Sequence, residues 1–247
     1  MQTLTIVVPT FQEAGNIENF LRHVEAISAR DKDFLFEVMV IDDSSPDGTA
    51  EIARQVAASF ENANFRVRVE VRAEKEGLGA AYVWAFLKLL YQDAPPDYIL
   101  QMDADLSHDP KYIPALLDAV RGGADLVVAS RYIPGGATPD WTWKRKLLSV
   151  GGNLYARALL GSKITDHTGG FNLYESNLLR RADPSSIKAK GYGFQIELKY
   201  RATRLAEKIR EVPIVFLDRT EGESKIPSDT LLKSLWLVVQ LRRGRQL

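Results

Sequence analysis

Two aspartates one residue apart, Asp103 and Asp105, carry the clearest chemical signal in this chain. They follow an apolar run, residues 98–102, that is typical of a buried strand, and Asp109-Pro110 then indicates a helix start. Side chains at positions i and i+2 of an extended segment point the same way, so both carboxylates are expected to face one cation. Carboxylate oxygens suit Mg²⁺ or Mn²⁺, and Mg²⁺ usually completes its shell with water and substrate phosphates. The alternative is a solvated loop that happens to contain two acidic residues.

The composition is that of one globular α/β domain of 247 residues, of which 45% are hydrophobic and 26% are charged. Lysine plus arginine and aspartate plus glutamate both number 32, so the overall charge provides no attraction to nucleic acid. The absence of cysteine excludes disulfides and thiolate metal sites. The sequence contains neither a signal-peptide pattern nor 18 consecutive apolar residues, so we expect neither a secretory signal nor a transmembrane helix.

Strand-like and helix-like segments alternate through the first 130 residues. Apolar or β-branched runs typical of strands occupy residues 3–9, 36–41, 65–71, 98–102 and 125–129, and the segments between them have helical spacing. This alternation predicts an α/β fold with a mostly parallel central sheet flanked by helices. Ligands of such sheets bind beyond the carboxyl ends of the strands, where residues 10–13, 42–43 and 103–105 would converge.

The second half of the chain is less regular. A helix after residue 143 is expected to carry an apolar face that includes Leu147 and Leu154. A polar, glycine-rich loop follows at residues 166–171. The last strand is expected over residues 209–217, where Pro213 favours a position at the edge of the sheet.

Seven short motifs occur in order across nearly the whole chain. They are Val8-Pro-Thr-Phe-Gln-Glu13, Asp42-Asp-Ser-Ser-Pro-Asp-Gly-Thr49, Gly77-Leu-Gly79, Asp103-Ala-Asp-Leu-Ser-His108, Ser130-Arg-Tyr132, Asp166-His-Thr-Gly-Gly-Phe171 and Gly222-Glu-Ser-Lys225. In this order they resemble the family 2 glycosyltransferases of the GT-A fold, and most closely the dolichol-phosphate mannosyltransferases and their bacterial polyprenyl-phosphate relatives. The second and fourth motifs are the most specific.

The resemblance implies a role for each motif residue. The nucleotide pocket would be lined by Pro9, Thr10, Phe11, Glu13, Asp42, Asp43 and Ala104, with Arg219 and Lys225 near the donor diphosphate. The divalent cation would be held by Asp103 and Asp105, with Ser107 as a weaker contact where some relatives have glutamine. The acceptor phosphate would be held by Arg131, Arg145 and Ser149, and Gln195 would lie near the sugar. Catalysis would rest on Asp103, Asp105 and Arg131.

Two histidines lie in these motifs. His108 is expected to be a helix-start residue rather than a metal ligand. His167, in the glycine-rich loop, would either act in the site or hold the loop through a hydrogen bond.

The implied function is metal-dependent, inverting transfer of mannose from GDP-mannose to a polyprenyl (dolichyl-type) phosphate, with Mg²⁺ or Mn²⁺ as cofactor. The residues suit this chemistry, because a cation on the aspartates neutralises a leaving diphosphate and arginines capture phosphate in a bidentate manner. Three alternatives stay open. They are a UDP-sugar donor (glucose or N-acetylglucosamine), a hydroxyl acceptor served by a carboxylate base, and a catalytically inactive subunit that binds nucleotide sugars.

Membrane contact is expected because the implied acceptor is a lipid. Residues 1–227 are predicted to form the GT-A catalytic domain, and residues 228–247 an amphipathic helix of the same domain. That helix would either pack on the core or lie in the interface of an anionic membrane. Trp141 and Trp143 would likewise either pack internally or contact lipid. We therefore expect a cytoplasmic protein, peripherally associated with the cytoplasmic face of a membrane, directly or through a membrane-anchoring partner.

Overall fold

A seven-stranded sheet organises the part of the chain that the structure, a computed structural model, describes: residues 1–187, 189, 191–217 and 228–244. The strands are β1 (Gln2–Thr10), β2 (Phe34–Asp42), β3 (Phe65–Val71), β4 (Tyr98–Gln101), β5 (Leu126–Ser130), β6 (Asn172–Glu175) and β7 (Ile209–Pro213). Their order across the sheet is β3-β2-β1-β4-β6-β5-β7. Every pairing is parallel except those of β6, which runs antiparallel to both β4 and β5.

Helices cover both faces of this sheet. They are α1 (Ile17–Ser28), α2 (Thr49–Ala57), α3 (Leu78–Leu90), α4 (Ile113–Arg121), α5 (Trp143–Leu160), α6 (Ser176–Arg181), α7 (Tyr192–Leu205) and α8 (Ser228–Arg242). Because side chains alternate along a strand, β1 sends Ile6 into an apolar layer shared with α1, α2 and α4, and Val7 into a second layer shared with α3, α6 and α7. The α/β/α arrangement and the mostly parallel sheet confirm the predicted fold class.

The reversed strand β6 was not predicted. It has only four residues, and it follows a glycine-rich loop that resembles a long connection. Its first residue, Asn172, is opposite Gln101 of β4 and Val128 of β5. Because β6 runs the other way, the loop that precedes it lies at the edge of the sheet where β4 and β5 end. The reversal therefore brings residues 166–171 to the same edge as the conspicuous aspartates.

The last strand and the last helix both pack on elements that precede them in the chain. Strand β7 is at the edge of the sheet, as Pro213 predicts, although it ends at that proline rather than at residue 217. Helix α8 buries Leu237 and Val238 against α5 and α7, so its described part packs on the body of the protein. Its predicted role at a membrane stays a prediction. No helix in the described ranges is long and apolar enough to cross a bilayer.

Helix α5 presents its predicted apolar face outward. The residues that it buries are Asn153, Ala156 and Leu160, which follow one another at three- and four-residue spacing. The large apolar side chains on its other side are between 48% and 69% exposed, namely Trp143, Leu147, Leu148, Val150 and Leu154. These residues form an apolar surface, called here the outer face of α5, that is largely open to solvent.

Gly136 is a position where the backbone at the end of β5 leaves no room for a side chain. A Cβ atom there would lie 2.7 Å from both the carbonyl oxygen of Ser130 and the carbonyl carbon of Arg131. We expect Gly136→Ala to lower the free energy of unfolding by about 1–3 kcal/mol, because the backbone would have to shift. Gly151→Ala, in α5 with open space around it, should instead raise that free energy by about 0.5–1 kcal/mol. Urea unfolding followed by circular dichroism measures the change in the free energy of unfolding for both variants. Equal changes in the two variants would contradict the crowding at Gly136.

Candidate active site

The two aspartates lie in a loop rather than in the strand. Strand β4 ends at Gln101, and the chain bends at Leu106, whose φ is +60°. The extended geometry assumed from their spacing is therefore wrong, and hydrogen bonds within the loop position the carboxylates instead. Asp105 is buried, and its Oδ1 accepts hydrogen bonds from the backbone N (3.0 Å) and Oγ (2.6 Å) of Ser107. The backbone N of Asp103 donates to Nδ1 of His108 at 3.0 Å.

The role of His108 is structural. Its ring is buried, and its Nδ1 accepts a hydrogen bond, so this nitrogen carries no proton. Burial lowers the pKa of the imidazole, against the opposing effects of Asp103 and Asp105. The neutral ring thus closes the loop directly before the 3₁₀ turn, at the helix start expected for this residue, while the expectation that it binds no metal stays a prediction. Asp109 accepts a hydrogen bond from the backbone N of Lys111 at 2.9 Å, and it caps a short 3₁₀ turn that begins at Pro110, also as predicted.

Gln195 of α7 approaches Asp103 from the other side of the site. It is buried, and neither atom of its amide has a hydrogen-bond partner among the described residues. Between the two lies Gly170, where a Cβ atom would be 3.5 Å from the Gln195 Nε2 and 4.0 Å from the Asp103 Oδ1. A buried amide without a partner needs an explanation, and a ligand group is the simplest one.

This donor set fits a hard divalent cation that shares its shell with a ligand. Two carboxylates, of Asp103 and Asp105, supply the oxygens that Mg²⁺ and Mn²⁺ prefer. Across the described residues, no three histidine or acidic side chains come together in a geometry suited to a metal. Water and substrate oxygens would therefore complete the coordination.

The ends of β1 and β2 form the neighbouring part of the edge. Asp42 is engaged in holding loops together: its Oδ1 accepts from Thr10 Oγ1 (3.0 Å) and Ser45 Oγ (2.6 Å), and its Oδ2 accepts from Ser45 N (2.8 Å). Asp43 instead faces Arg72, whose Nη1 lies 3.3 Å from its Oδ1. Burial raises the pKa of Asp43, and the Arg72 guanidinium opposes that effect. The two adjacent aspartates thus have different surroundings: Asp42 holds the loops together, whereas Asp43 lies beside the buried Arg72.

The other residues predicted for a nucleotide pocket lie near the same strand ends. Pro9 is opposite Ile41 in the sheet, and Ala104 is buried in the loop after β4. The backbone N of Glu13 donates to Thr49 Oγ1 at 3.0 Å. The Nζ of Lys75 lies only 3.3 Å from the centroid of the Phe11 ring, a cation–π contact.

Three side chains at this edge were missed by the sequence analysis. They are Arg72, Lys75 and Tyr82, whose hydroxyl donates to the Met102 carbonyl (3.1 Å) and lies 3.4 Å from Asp103 Oδ1. Arg72 and Lys75 follow the end of β3, and this position of two basic residues at a strand end is the signal that could have identified them. Arg219 and Lys225 lie outside the described residues, so their predicted place at the diphosphate stays a prediction.

A buried ion pair dominates the edge at β5. The Nε of Arg131 donates to Asp166 Oδ2 (2.7 Å) and its Nη2 donates to Asp166 Oδ1 (2.8 Å), a bidentate contact. The same Nη2 also donates to Thr168 Oγ1 at 2.8 Å. Despite full burial, the Arg131 guanidinium holds the pKa of Asp166 well below its ordinary value. No role of its own was predicted for Asp166, although its acidic side chain in a polar, glycine-rich loop is a signal that could have found it.

Two of the three residues predicted to hold a phosphate, Arg131 and Arg145, lie against Trp141. The guanidinium carbon of Arg145 lies 4.1 Å from the Trp141 ring centroid, and that of Arg131 lies 5.3 Å from it. Ser149, one turn after Arg145 in α5, shares a 2.6 Å hydrogen bond with the hydroxyl of Tyr132. Trp141 itself is buried and packs against Phe216, so the packing alternative is confirmed for this tryptophan. Trp143 is exposed.

The segment that carries Asp166, called here the 165–170 loop, is held by hydrogen bonds to β7 and α5. The Oγ1 of Thr165 donates to Glu211 Oε1 of β7 at 2.6 Å. The backbone N of His167 donates to Asn153 Oδ1 of α5 at 2.6 Å. The His167 ring is buried, and burial and the Lys199 charge lower its pKa to about 4, against the opposing effect of the Ile164 backbone. The hydrogen bond that anchors the loop here is made by the backbone of His167, not by its ring.

The chain was compared with known proteins. The family described as Glycosyl transferase family 2 matches residues 5–182. An undecaprenyl-phosphate mannosyltransferase of Micrococcus luteus is 42% identical over 227 residues, covering 92% of this chain and 88% of that protein. A polyprenol monophosphomannose synthase of Mycolicibacterium smegmatis is 38% identical over 248 residues, covering 99% and 89%.

Solved structures agree on the fold. The glucosyl-3-phosphoglycerate synthase of Mycobacterium tuberculosis, in complex with Mn²⁺, UDP and glucosyl-3-phosphoglycerate, superposes with a TM-score of 0.65 at 21% identity. The match covers 98% of this chain and 80% of that one. At this level of identity the likeness extends to the fold alone.

Asp166→Asn tests the buried pair. We expect the free energy of unfolding at pH 7 to fall by about 3–5 kcal/mol, because Arg131 would keep its charge without a buried partner. The folded-state pKa of Asp166 lies below its ordinary value of 3.8, so its contribution is complete above that value and is lost as the pH falls below it. The difference between wild type and variant in urea unfolding should therefore shrink below about pH 4. Asp118→Asn, at an exposed partner of Arg121, is the control and should change stability little.

Proposed function

This chain belongs to glycosyl transferase family 2 and is a glycosyltransferase, and we propose that it transfers mannose from GDP-mannose to a polyprenyl phosphate. The products would be polyprenyl-phosphate-mannose and GDP. The observation that carries the proposal is the pair of arginines at the β5 edge: Arg131 and Arg145 both lie against Trp141, and Arg131 is already bound to Asp166 in an ion pair. The names of the two mannosyltransferase relatives favour the same reaction.

The donor is proposed to bind at the ends of β1, β2 and β4. Phe11 offers a ring on which a base can stack, and Asp43 offers a buried carboxylate near it. Asp103 and Asp105 would hold Mg²⁺ or Mn²⁺, which supplies Lewis-acid neutralisation of the leaving diphosphate. Ser107 fixes Asp105, and Gln195 would contact the sugar or its cation with an amide that is otherwise without a partner among the described residues.

The acceptor is proposed to bind at Arg131, Arg145 and Ser149. A phosphate monoester has a second pKa of about 6, so it arrives ionised at neutral pH and needs no base to remove a proton. Its oxygen would attack the anomeric carbon while the bond from that carbon to the diphosphate breaks. A single displacement of this kind inverts the anomeric configuration.

A hydroxyl acceptor would need a general base, and Asp166, the carboxylate bound to Arg131, is poorly suited to that task. Asp166 has its pKa held well below the ordinary value, and both of its oxygens accept hydrogen bonds from Arg131. A carboxylate with such a low pKa is a weak base at neutral pH. This favours the phosphate acceptor over the hydroxyl acceptor.

Two parts of the proposal come from resemblance rather than from described contacts. Arg219 and Lys225 are proposed to approach the donor diphosphate from the side opposite the aspartates. The choice of mannose over glucose or N-acetylglucosamine, and of guanine over uracil, is proposed from the relatives' names. A UDP-sugar is the alternative donor.

Transfer from a panel of radiolabelled nucleotide sugars to a polyprenyl phosphate tests the reaction. With Mg²⁺ or Mn²⁺ present, we expect label from GDP-mannose in the organic phase, and none in excess EDTA because the aspartates then hold no cation. Asp105→Asn should lose at least about a hundredfold in rate, consistent with loss of electrostatic stabilisation. Asp109→Asn, a capping aspartate in the same loop, is the matched control and should stay active.

Other outcomes of that assay separate the alternatives. Label from a UDP-sugar would keep the mechanism and change the donor. Transfer only to soluble hydroxyl acceptors, or nucleotide binding without any transfer, would overturn the proposal.

Action on a lipid acceptor requires contact with a bilayer, and we assign that contact to the outer face of α5. Its exposed residues Trp143, Leu147 and Leu154 recur at helical spacing on one side. The helix carries four basic residues and no acidic one between Trp143 and Leu160, which suits an anionic surface. Its inner side carries Arg145 and Ser149, so this placement brings the lipid surface next to the proposed phosphate site. Peripheral association of this kind, at the cytoplasmic face, needs no transmembrane segment.

The double variant Leu147→Ser/Leu154→Ser tests this surface. Binding to vesicles that contain anionic lipid should weaken by on the order of tenfold or more, because each leucine that enters an apolar phase gains about 1.5–3 kcal/mol. Tyr91→Ser, at an exposed side chain far along the chain from α5, is the control and should bind as wild type. Cosedimentation with vesicles measures the binding of wild type, the double variant and Tyr91→Ser, and also that of Trp236→Ser in α8. A loss for Trp236→Ser alone would move the membrane contact to α8.

A further inference from the structure

Lys199 of α7 is a fully buried lysine that the mechanism above does not use. Its Nζ donates hydrogen bonds to two backbone carbonyls of the 165–170 loop, those of Asp166 and Gly169, both at 2.7 Å. The Gly169 carbonyl has a second donor in Asn172, whereas Lys199 is the donor described for the Asp166 carbonyl. Burying an ammonium group is costly, so an apolar residue would serve better if only space had to be filled.

The loop that Lys199 holds connects the two halves of the site. At one end Asp166 orients Arg131 through the bidentate pair. At the other end Gly170 lies against Gln195 and Asp103. One face of α7 thus supports the loop twice, with Gln195 near Gly170 and, one turn later, Lys199 beneath Asp166 and Gly169. A shift of this loop would change the distance between Arg131 and the aspartates.

The charge of Lys199 also matters at this place. The carboxylate of Asp166 offsets the charge of Arg131, so the pair alone offers a phosphate dianion little net attraction. Lys199 adds a positive charge next to Asp166, at its backbone carbonyl, and it is too deeply buried for solvent to screen it effectively. The other charged group that faces it is Glu211 of β7, which is bonded to Thr165.

We propose that Lys199 is a positioning residue for the acceptor phosphate: its ammonium group fixes the 165–170 loop and offsets Asp166, so that Arg131 can attract and orient the phosphate. The inference rests on the proposed function, since it concerns the same acceptor. Lys199 is not expected to touch either substrate. Its removal should therefore impair use of the acceptor while leaving donor binding intact.

The pH dependence gives a readout that a purely structural role would not change. Burial lowers the pKa of Lys199 to about 7, against the raising effect of Asp166. His167, with a pKa of about 4, and Asp166, with a pKa well below its ordinary value, keep their charge states near neutrality. For the wild type, kcat/KM for the acceptor should rise through about pH 6 as the phosphate ionises, and fall above about pH 7 as Lys199 loses its proton.

The test compares wild type, Lys199→Gln and Lys199→Met with Arg204→Gln, which removes an exposed cation from the same helix. We expect both Lys199 variants to lose about tenfold or more in kcat/KM for polyprenyl phosphate and to lack the alkaline fall. The dissociation constant for the donor nucleotide, measured by calorimetry, should stay within about twofold, as expected when donor contacts are untouched. Arg204→Gln should match wild type in every measurement.

Each contrary outcome overturns a definite part of this inference. If wild type transfers sugar and the Lys199 variants use the acceptor equally well, or lose donor and acceptor binding alike, Lys199 has no positioning role. If the variants do not fold, the pH dependence of the wild type decides. A wild-type kcat/KM for the acceptor that stays level up to pH 9 would exclude the positioning role of Lys199. If wild type transfers to no lipid phosphate, the proposed function fails first and the inference falls with it.

Discussion

The buried pair between Arg131 and Asp166 is the interaction on which the arrangement of the site depends. It joins the end of β5 to the loop that precedes β6, next to the 2.8 Å hydrogen bond between the hydroxyls of Ser130 and Thr165. Both partners are buried, Asp166 fully and Arg131 for the most part, so either one alone would carry an uncompensated charge. The loop is thereby fixed against the arginine, and the surrounding contacts of Glu211, Asn153 and Lys199 stabilise the same geometry.

Much of the fold could be predicted from residue patterns. In β1, β2, β3 and the helices between them, apolar runs typical of strands alternate with segments whose apolar residues have helical spacing. The positions of polar residues at strand ends likewise indicated the edge where the candidate site lies. Strand β6 escaped prediction because four residues are too few to show a period, and its direction depends on partners distant in sequence. The contacts of Asp42, Asp166 and Lys199 could not be predicted either, since the sequence does not reveal which carbonyl or guanidinium lies opposite a buried polar group.

Helices α5 and α8 show how pattern and packing can differ. Helices α5 and α8 both have apolar stripes, and the sequence analysis assigned the membrane alternative to the second. In the structure the described part of α8 is covered by α5 and α7, whereas the outer face of α5 remains exposed. Amphipathic spacing identifies a helix that has an apolar side, but only the tertiary arrangement decides whether protein covers that side.

The position of β6 has a consequence for the order in which the chain can fold. Strand β5 pairs only with β6 and β7, both of which come later in the sequence, so it has no earlier strand to join. During synthesis, β1 to β4 can assemble from contacts among themselves as they leave the ribosome. The half of the sheet that carries Arg131 must wait until residues 172–175 insert between β4 and β5. The edge proposed for the nucleotide can therefore exist before the edge proposed for the lipid phosphate, and the two become one site only when this short reversed strand arrives.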